Sequence, residues 1–181
     1  KEALEVINPQ ASQKGINLKE QLTPVFYQTL ADKDMLYQAI LNLFSNAVKY
    51  TPEGGTITVS LRTELVEGSV GDWALLPPSG RHVLLDVRDT GVGMDAGQLG
   101  RVLEPFYTTK AAGHGTGLGL PMVLSTIEKH RGGLRLASEP GVGTTVTICL
   151  PVSGELVQQQ AGGSLDATLS GIGGRERILL V

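Results

Sequence analysis

Four glycines alternate through AAGHGTGLGLPMV (111–123), at positions 113, 115, 117 and 119, and the stretch runs straight into an apolar, helix-like segment. Glycine loses more backbone freedom on folding than any other residue, so such a run persists where a backbone must turn sharply or approach something closely. A G-x-G-x-G turn that binds a dinucleotide needs a strand immediately before it, and EPFYTTKAAGH is no strand. A P-loop needs Gly-Lys followed by Ser or Thr, and the chain has no such tripeptide. What survives is a loop whose backbone N–H groups, with the positive end of the following helix, can wrap a polyphosphate.

The rest of the chain bounds what surrounds that loop. With 181 residues, 41% of them apolar, it can bury one proper core. A net charge of −3 with scattered Lys and Arg argues against a nucleic-acid or anionic-membrane surface as the main partner. No apolar run approaches the roughly 20 residues that span a bilayer, and no signal-peptide pattern opens the chain. The single cysteine, Cys149, excludes an internal disulfide and lies in VTICL, where a strand would bury it as a small hydrophobe. That usage fits a reducing compartment.

Along the chain, residues 1–14 read as the end of a helix interrupted by Pro9. NLKEQL (17–22) and PVFYQTL (24–30) read as short strands. In residues 34–50, Met35, Leu36, Ala39, Ile40, Leu43, Phe44, Ala47 and Val48 recur at helical spacing, with Asp32 or Asp34 as cap. GTITVSLRTEL (55–65) and RHVLLDVRD (81–89) alternate and should pair antiparallel, joined by VEGSVGDWALLPPSG (66–80) as an insertion of low structural content. Residues 89–117 are loop-rich, 118–133 restore a helix, and LRLASEP with TTVTICLP forms a last hairpin. After Pro151 the chain turns polar and Gly- and Gln-rich, a linker, before RERILLV (175–181), an apolar strand without a partner.

Two constellations stand out from that frame. Asn42, Asn46 and Lys49 fall within about 60° of arc on their helix. Such a stripe is either an ordinary solvent face or a set of carboxamides and an ammonium aimed at one ligand, such as a hydrated Mg²⁺ with its phosphates. Asp89 closes a strand just before TGVGM, where its carboxylate either completes an Asp-Thr-Gly turn or accepts from an exocyclic amine.

In order, LNLFSNAVKY (41–50), DTGVGM (89–94), EPFYTTK (104–110) and GHGTGLGL (113–120) resemble the N, G1, F and G2 boxes of the sensor histidine kinase catalytic domain. That domain belongs to the wider gyrase, Hsp90, histidine kinase and MutL ATPase superfamily. The resemblance covers residues 17–151 and implies a two-layer α/β sandwich, the Bergerat ATP-binding fold, with a mixed, mostly antiparallel sheet covered on one face by helices. It implies that residues 1–16 end a preceding dimerisation and phosphoacceptor region, that 152–174 are a linker, and that 175–181 open a truncated receiver-like domain, as in hybrid kinases.

Carried over residue by residue, the resemblance implies that Asn46 coordinates Mg²⁺ on the ATP phosphates, with Asn42 as polar support. Lys49 would meet phosphate oxygens and Tyr50 would lie against adenine. Asp89 would accept from the adenine amino group, in a pocket shaped by Gly91 and Gly93. Phe106, Thr108, Thr109 and Lys110 would belong to a mobile lid, and Gly115, Thr116, Gly117, Leu118 and Gly119 to the phosphate loop. Asn42, Asn46 and Lys49 would be the catalytic set. Hydrolysing superfamily members carry a glutamate where this chain has Asn42, and an amide cannot be a general base, so transfer to a histidine is favoured over ATPase turnover. None of His82, His114 or His130 fits the phosphoacceptor, which would lie on a helical hairpin supplied by the same or a partner protomer. The fragment is expected to be a cytoplasmic monomer that binds ATP without autophosphorylating and serves a receiver domain or response regulator. The alternatives are a superfamily ATPase and a non-catalytic nucleotide-sensing module.

Overall fold

The computed structural model describes residues 1–22, 27–67, 73–108 and 116–153, together with the backbone of 176–180. Ala3, Leu4, Ile7 and Ala11 fall on one buried face of α1 (Glu2–Gln13), which runs through Pro9. Pro9 is exposed, and burial of the opposite face in the common core offsets an internal proline's cost of about 3 kcal/mol. The segment expected to trail in from a preceding region thus packs into the same core as the rest. β1 (Asn17–Leu22) and β2 (Tyr27–Ala31) follow, Pro24 to Phe26 lying outside the described residues.

α2 (Lys33–Tyr50) buries the face its spacing predicts, with Leu36, Ala39, Leu43, Phe44, Ala47 and Val48 all in the core. Asp32 is the residue that caps it, accepting from the Met35 N–H at 3.0 Å. The Asp32 N–H in turn donates to His130 Nε2 at 2.8 Å, while His130 Nδ1 donates to the Thr126 carbonyl at 2.6 Å. His130 is therefore a structural strut between the start of one helix and the end of another. Asp32→Ala should lower stability by about 1 kcal/mol, the usual worth of a side-chain N-cap, in thermal or urea unfolding.

The remaining elements are β3 (Thr56–Val66), β4 (Trp73–Leu75), β5 (Gly80–Asp89), α3 (Ala96–Arg101), α4 (Gly119–Lys129), β6 (Gly133–Glu139), β7 (Gly143–Pro151) and β8 (Glu176–Leu180). Six strands form one sheet in the order β1-β3-β5-β7-β6-β4, and only the β1–β3 pair is parallel. Alternation sends Ile57, Val59, Val87, Val146 and Ile148 toward α1, α2 and α4, which together build the main core. The α/β sandwich is as expected: a mixed, mostly antiparallel sheet with helices on one face.

The other face is polar around Asp86 and carries a small apolar cluster. There Asp86 accepts from Arg62, Ser60 and Thr147, the last at 2.6 Å. Part of the 66–80 insertion is ordered on this face, contrary to expectation. Trp73 stacks with the Arg135 guanidinium at 5.1 Å and joins Val66, Leu84 and Cys149 in a small apolar cluster, so β4 adds to the edge of β6. A three-residue strand has no periodicity to read. Burial pushes the Cys149 thiol up to about 12, so it serves as a small hydrophobe, as expected.

RERILLV was expected to lack a partner, yet β8 pairs antiparallel with β2, from Tyr27↔Leu180 to Ala31↔Glu176. β2 offers an otherwise open edge, fixed to the end of β7 by Thr29 Oγ1 donating to the Pro151 carbonyl (2.9 Å) and by Ser153 N–H donating to the Gln28 carbonyl (2.9 Å). The expected linker lies outside the described residues apart from Val152 and Ser153. Among the described residues no helix is long and apolar enough to cross a membrane.

Candidate functional site

A cavity of about 340 Å³ opens between α2, the helix-side face of β5 and β7, and the segments around α3 and the start of α4. The stripe on α2 lies along it: Asn42, Asn46, Lys49 and Tyr50 all line the wall. Most of the apolar side of α2 is committed to the core, so the polar groups that the helix turns to the cavity come from this stripe and Ser45, with Leu43 and Ala47 at its floor.

Asp89 sits at the other wall, 8% exposed. Its Oδ1 accepts from the Gly91 N–H at 2.8 Å and from the Thr144 N–H at 3.3 Å. Oδ2 takes no hydrogen bond from the described residues. Burial pushes the carboxyl above the ordinary Asp range, and the two backbone N–H groups pull it back. Register explains the placement, because Asp89 pairs with Ile57 on one side and Thr144 on the other, at the end of the ladder where the chain turns away. That turn depends on Gly93, at φ +66°, where a Cβ would collide with the Glu139 carbonyl.

The glycine-rich stretch meets α2 from above. α4 starts at Gly119 with no side-chain cap, so its first N–H groups and the positive end of its dipole are left at the cavity, which Gly117, Gly119 and Leu120 line. A Cβ on Gly119 would lie 3.7 Å from Asn46 Nδ2, which brings the loop and the stripe together. Gly117, at φ +63°, packs directly on the backbone of Phe106, whose N–H donates to the Gly117 carbonyl at 3.0 Å. Thr108 and Thr116 also line the cavity.

Three expected residues do not line it. Gly91 lies behind Asp89 as a hydrogen-bond donor, Leu118 is the residue before α4, and Phe106, at φ +67°, is 73% exposed. Thr109, Lys110, Gly115 and His114 lie outside the described residues. His82 is buried in β5 on the far face of the sheet, its Nδ1 donating to the Gly80 carbonyl at 2.9 Å. At the lip, Lys49 Nζ lies 5.4 Å from the centre of the Tyr50 ring, and partial burial raises the Tyr50 hydroxyl above its ordinary value.

Sequence reasoning missed Gln98, Tyr107 and Thr144, which also line the cavity. Gln98 carried a readable signal. D-x-x-Q at 95–98 is a capping box, in which Asp95 Oδ1 accepts from the Gln98 N–H at 2.8 Å and Gln98 Oε1 from the Asp95 N–H at 3.1 Å. Thr144 is brought in by the strand register alone.

The arrangement defines a class of site. A carboxylate fixed at one wall and an uncapped helix N-terminus beside a carboxamide at the other suit a ligand with a hydrogen-bonding base and an anionic tail. Residues 31–154 match the family of histidine kinase-, DNA gyrase B- and HSP90-like ATPases, and the chain belongs to that family. The sensor histidine kinase ZraS of Klebsiella oxytoca is 37% identical over 158 residues, covering 87% of this chain and 31% of ZraS. The mycobacterial sensor histidine kinase MprB superposes with a TM-score of 0.62 at 28% identity, over 83% of this chain and 94% of the solved one. Full-length ShkA, crystallised in complex with AMPPNP, superposes with a TM-score of 0.68 at 27% identity, over 86% of this chain and 30% of ShkA. The chain thus spans about a third of the length of ZraS.

Proposed function

We propose that this chain is the ATP-binding catalytic domain of a sensor histidine kinase in a two-component system. It would hold ATP so that the γ-phosphoryl group reaches a histidine on a helical hairpin outside residues 17–151. The observation that carries the reading is the cavity that has Asp89 at one wall and Asn46 beside the uncapped start of α4 at the other. The AMPPNP complex of ShkA supports it by likeness.

Asp89 Oδ2 accepts from the adenine amino group, Tyr50 flanks the base, and Gly91 and Gly93 keep the turn beside it narrow. Lys49 and the α4 N-terminus, with Gly115, Thr116, Gly117, Leu118 and Gly119, receive the phosphates. Phe106, Thr108, Thr109 and Lys110 belong to the lid. The donors that α2 offers are neutral carboxamides, which suits a hydrated Mg²⁺ brought in with the phosphates; Asn46 would be its protein ligand and Asn42 its support. When bound, that ion offsets phosphate charge and holds the transferring oxygens in place. The chain's own residues bind, orient and exclude water.

The competing reading, an ATPase, needs a water-activating carboxylate. Among the described residues lining the cavity Asp89 is the one carboxylate, and its Oδ1 is tied to Gly91 and Thr144. With γ-labelled ATP the fragment alone is therefore expected to release no phosphate steadily and to carry no label. Adding its phosphoacceptor hairpin should put acid-labile label on the hairpin. Steady release by the fragment would favour the ATPase, and ATP binding without transfer would favour a sensing module.

A further inference from the structure

The last four carbonyls of a helix have no partner within it, and α2 ends on the two residues, Lys49 and Tyr50, that stand at the cavity lip. Their accounting is complete. The Ala47 carbonyl accepts from the Thr51 N–H (3.0 Å) and Thr51 Oγ1 (2.6 Å), and the Tyr50 carbonyl from the Val92 N–H (3.2 Å). The two between, Val48 and Lys49, accept from one group, the Lys14 ammonium, at 2.8 and 3.0 Å.

Lys14 is the residue at which α1 ends, and the chain after it continues the grip. The Gly15 carbonyl accepts from the Gly54 N–H (3.2 Å), and the Asn17 N–H donates to the Gly55 carbonyl (2.8 Å). Residues 14–17 thus hold both the end of α2 and the turn that follows it. The body of α2 is fixed by its apolar face, whereas Lys49 and Tyr50 stand at its exposed last turn, whose Val48 and Lys49 carbonyls the Lys14 ammonium holds. An ammonium at this end also opposes the negative pole of the helix dipole.

We propose that Lys14 is a positioning residue of the nucleotide site. It reaches the ligand only through α2, by locking the last turn and so the directions from which Lys49 and Tyr50 address base and phosphate. The inference rests on the nucleotide reading above.

The test is calorimetric titration with AMPPNP and Mg²⁺ at a temperature where every variant is folded. Lys14→Met keeps the aliphatic stem and removes the ammonium, and should weaken affinity about five- to tenfold, whereas Lys14→Arg should return it to within about twofold. Asp32→Ala, which loosens the far end of the same helix, is the stability control and should leave affinity within about twofold. Wild-type affinity in Lys14→Met, or a loss no larger than that of Asp32→Ala, would overturn the inference and leave the nucleotide reading standing. Absence of binding by the wild-type chain would overturn both.

Discussion

Asn46→Ala is expected to weaken binding of Mg·ATP by about 10- to 100-fold, the range in which metal-site substitutions act, while metal-free ATP loses little. The reason is the donor set. Asn46 lies one turn beyond Asn42 on the polar stripe of α2, and Gly119 approaches its carboxamide, so a cation there would sit where loop, helix and phosphates meet. Asn46→Asp should fail for a second reason, because it adds a charge beside the phosphates that Lys49 and the α4 N-terminus are placed to receive. Titrations with and without Mg²⁺ separate the two losses. Equal weakening in both would remove Asn46 from the metal.

Asp89→Asn should cost about 10- to 100-fold in ATP affinity, the worth of a hydrogen bond to a charged group in a buried site, and should erase discrimination between ATP and GTP. An ionised carboxylate accepts from the amino group of adenine and repels the oxygen at the same position of guanine; a carboxamide distinguishes neither. The same substitution should leave the nucleotide-free domain as stable as before, or more so. Burial raises the folded-state pKa of Asp89 above its unfolded value, so its contribution to stability is fully present below the unfolded carboxyl value and is lost as pH rises through the folded one. At neutral pH the ionised group is therefore a cost to the empty domain. Asparagine can still accept from Gly91 and Thr144 without the charge. A lowered unfolding midpoint in Asp89→Asn at pH 7, or unchanged selectivity between ATP and GTP, would contradict this assignment.

The parts of the molecule legible in the sequence are those fixed by local periodicity. α2 announced itself because its apolar residues recur every turn, and the same arithmetic exposed Asn42, Asn46 and Lys49 as a stripe, which the structure brings to the cavity. β3 and β5 alternate cleanly and pair antiparallel as expected. The illegible parts are set by partners distant in sequence. α1 exists despite Pro9 because its face is buried by α2, and β4 exists because Trp73 finds Arg135 some 60 residues on. The parallel pairing of β1 with β3 needs the whole sheet to specify it. Thr144 reaches Asp89 through strand register, and Lys14 reaches the end of α2 across 34 residues of sequence. No short motif records contacts of that kind. The conformation of Phe106, at φ +67°, was not legible, because it goes with the close approach of Gly117 to its backbone.

The central claim is that the cavity between α2, the sheet and α4 is an ATP site that uses a metal. Calorimetric titration of this chain with AMPPNP, with and without Mg²⁺, tests it most directly. Saturable one-to-one binding that tightens with Mg²⁺ and is displaced by ATP is the predicted result; no heat of binding in either condition, from a chain shown to be folded, would contradict it.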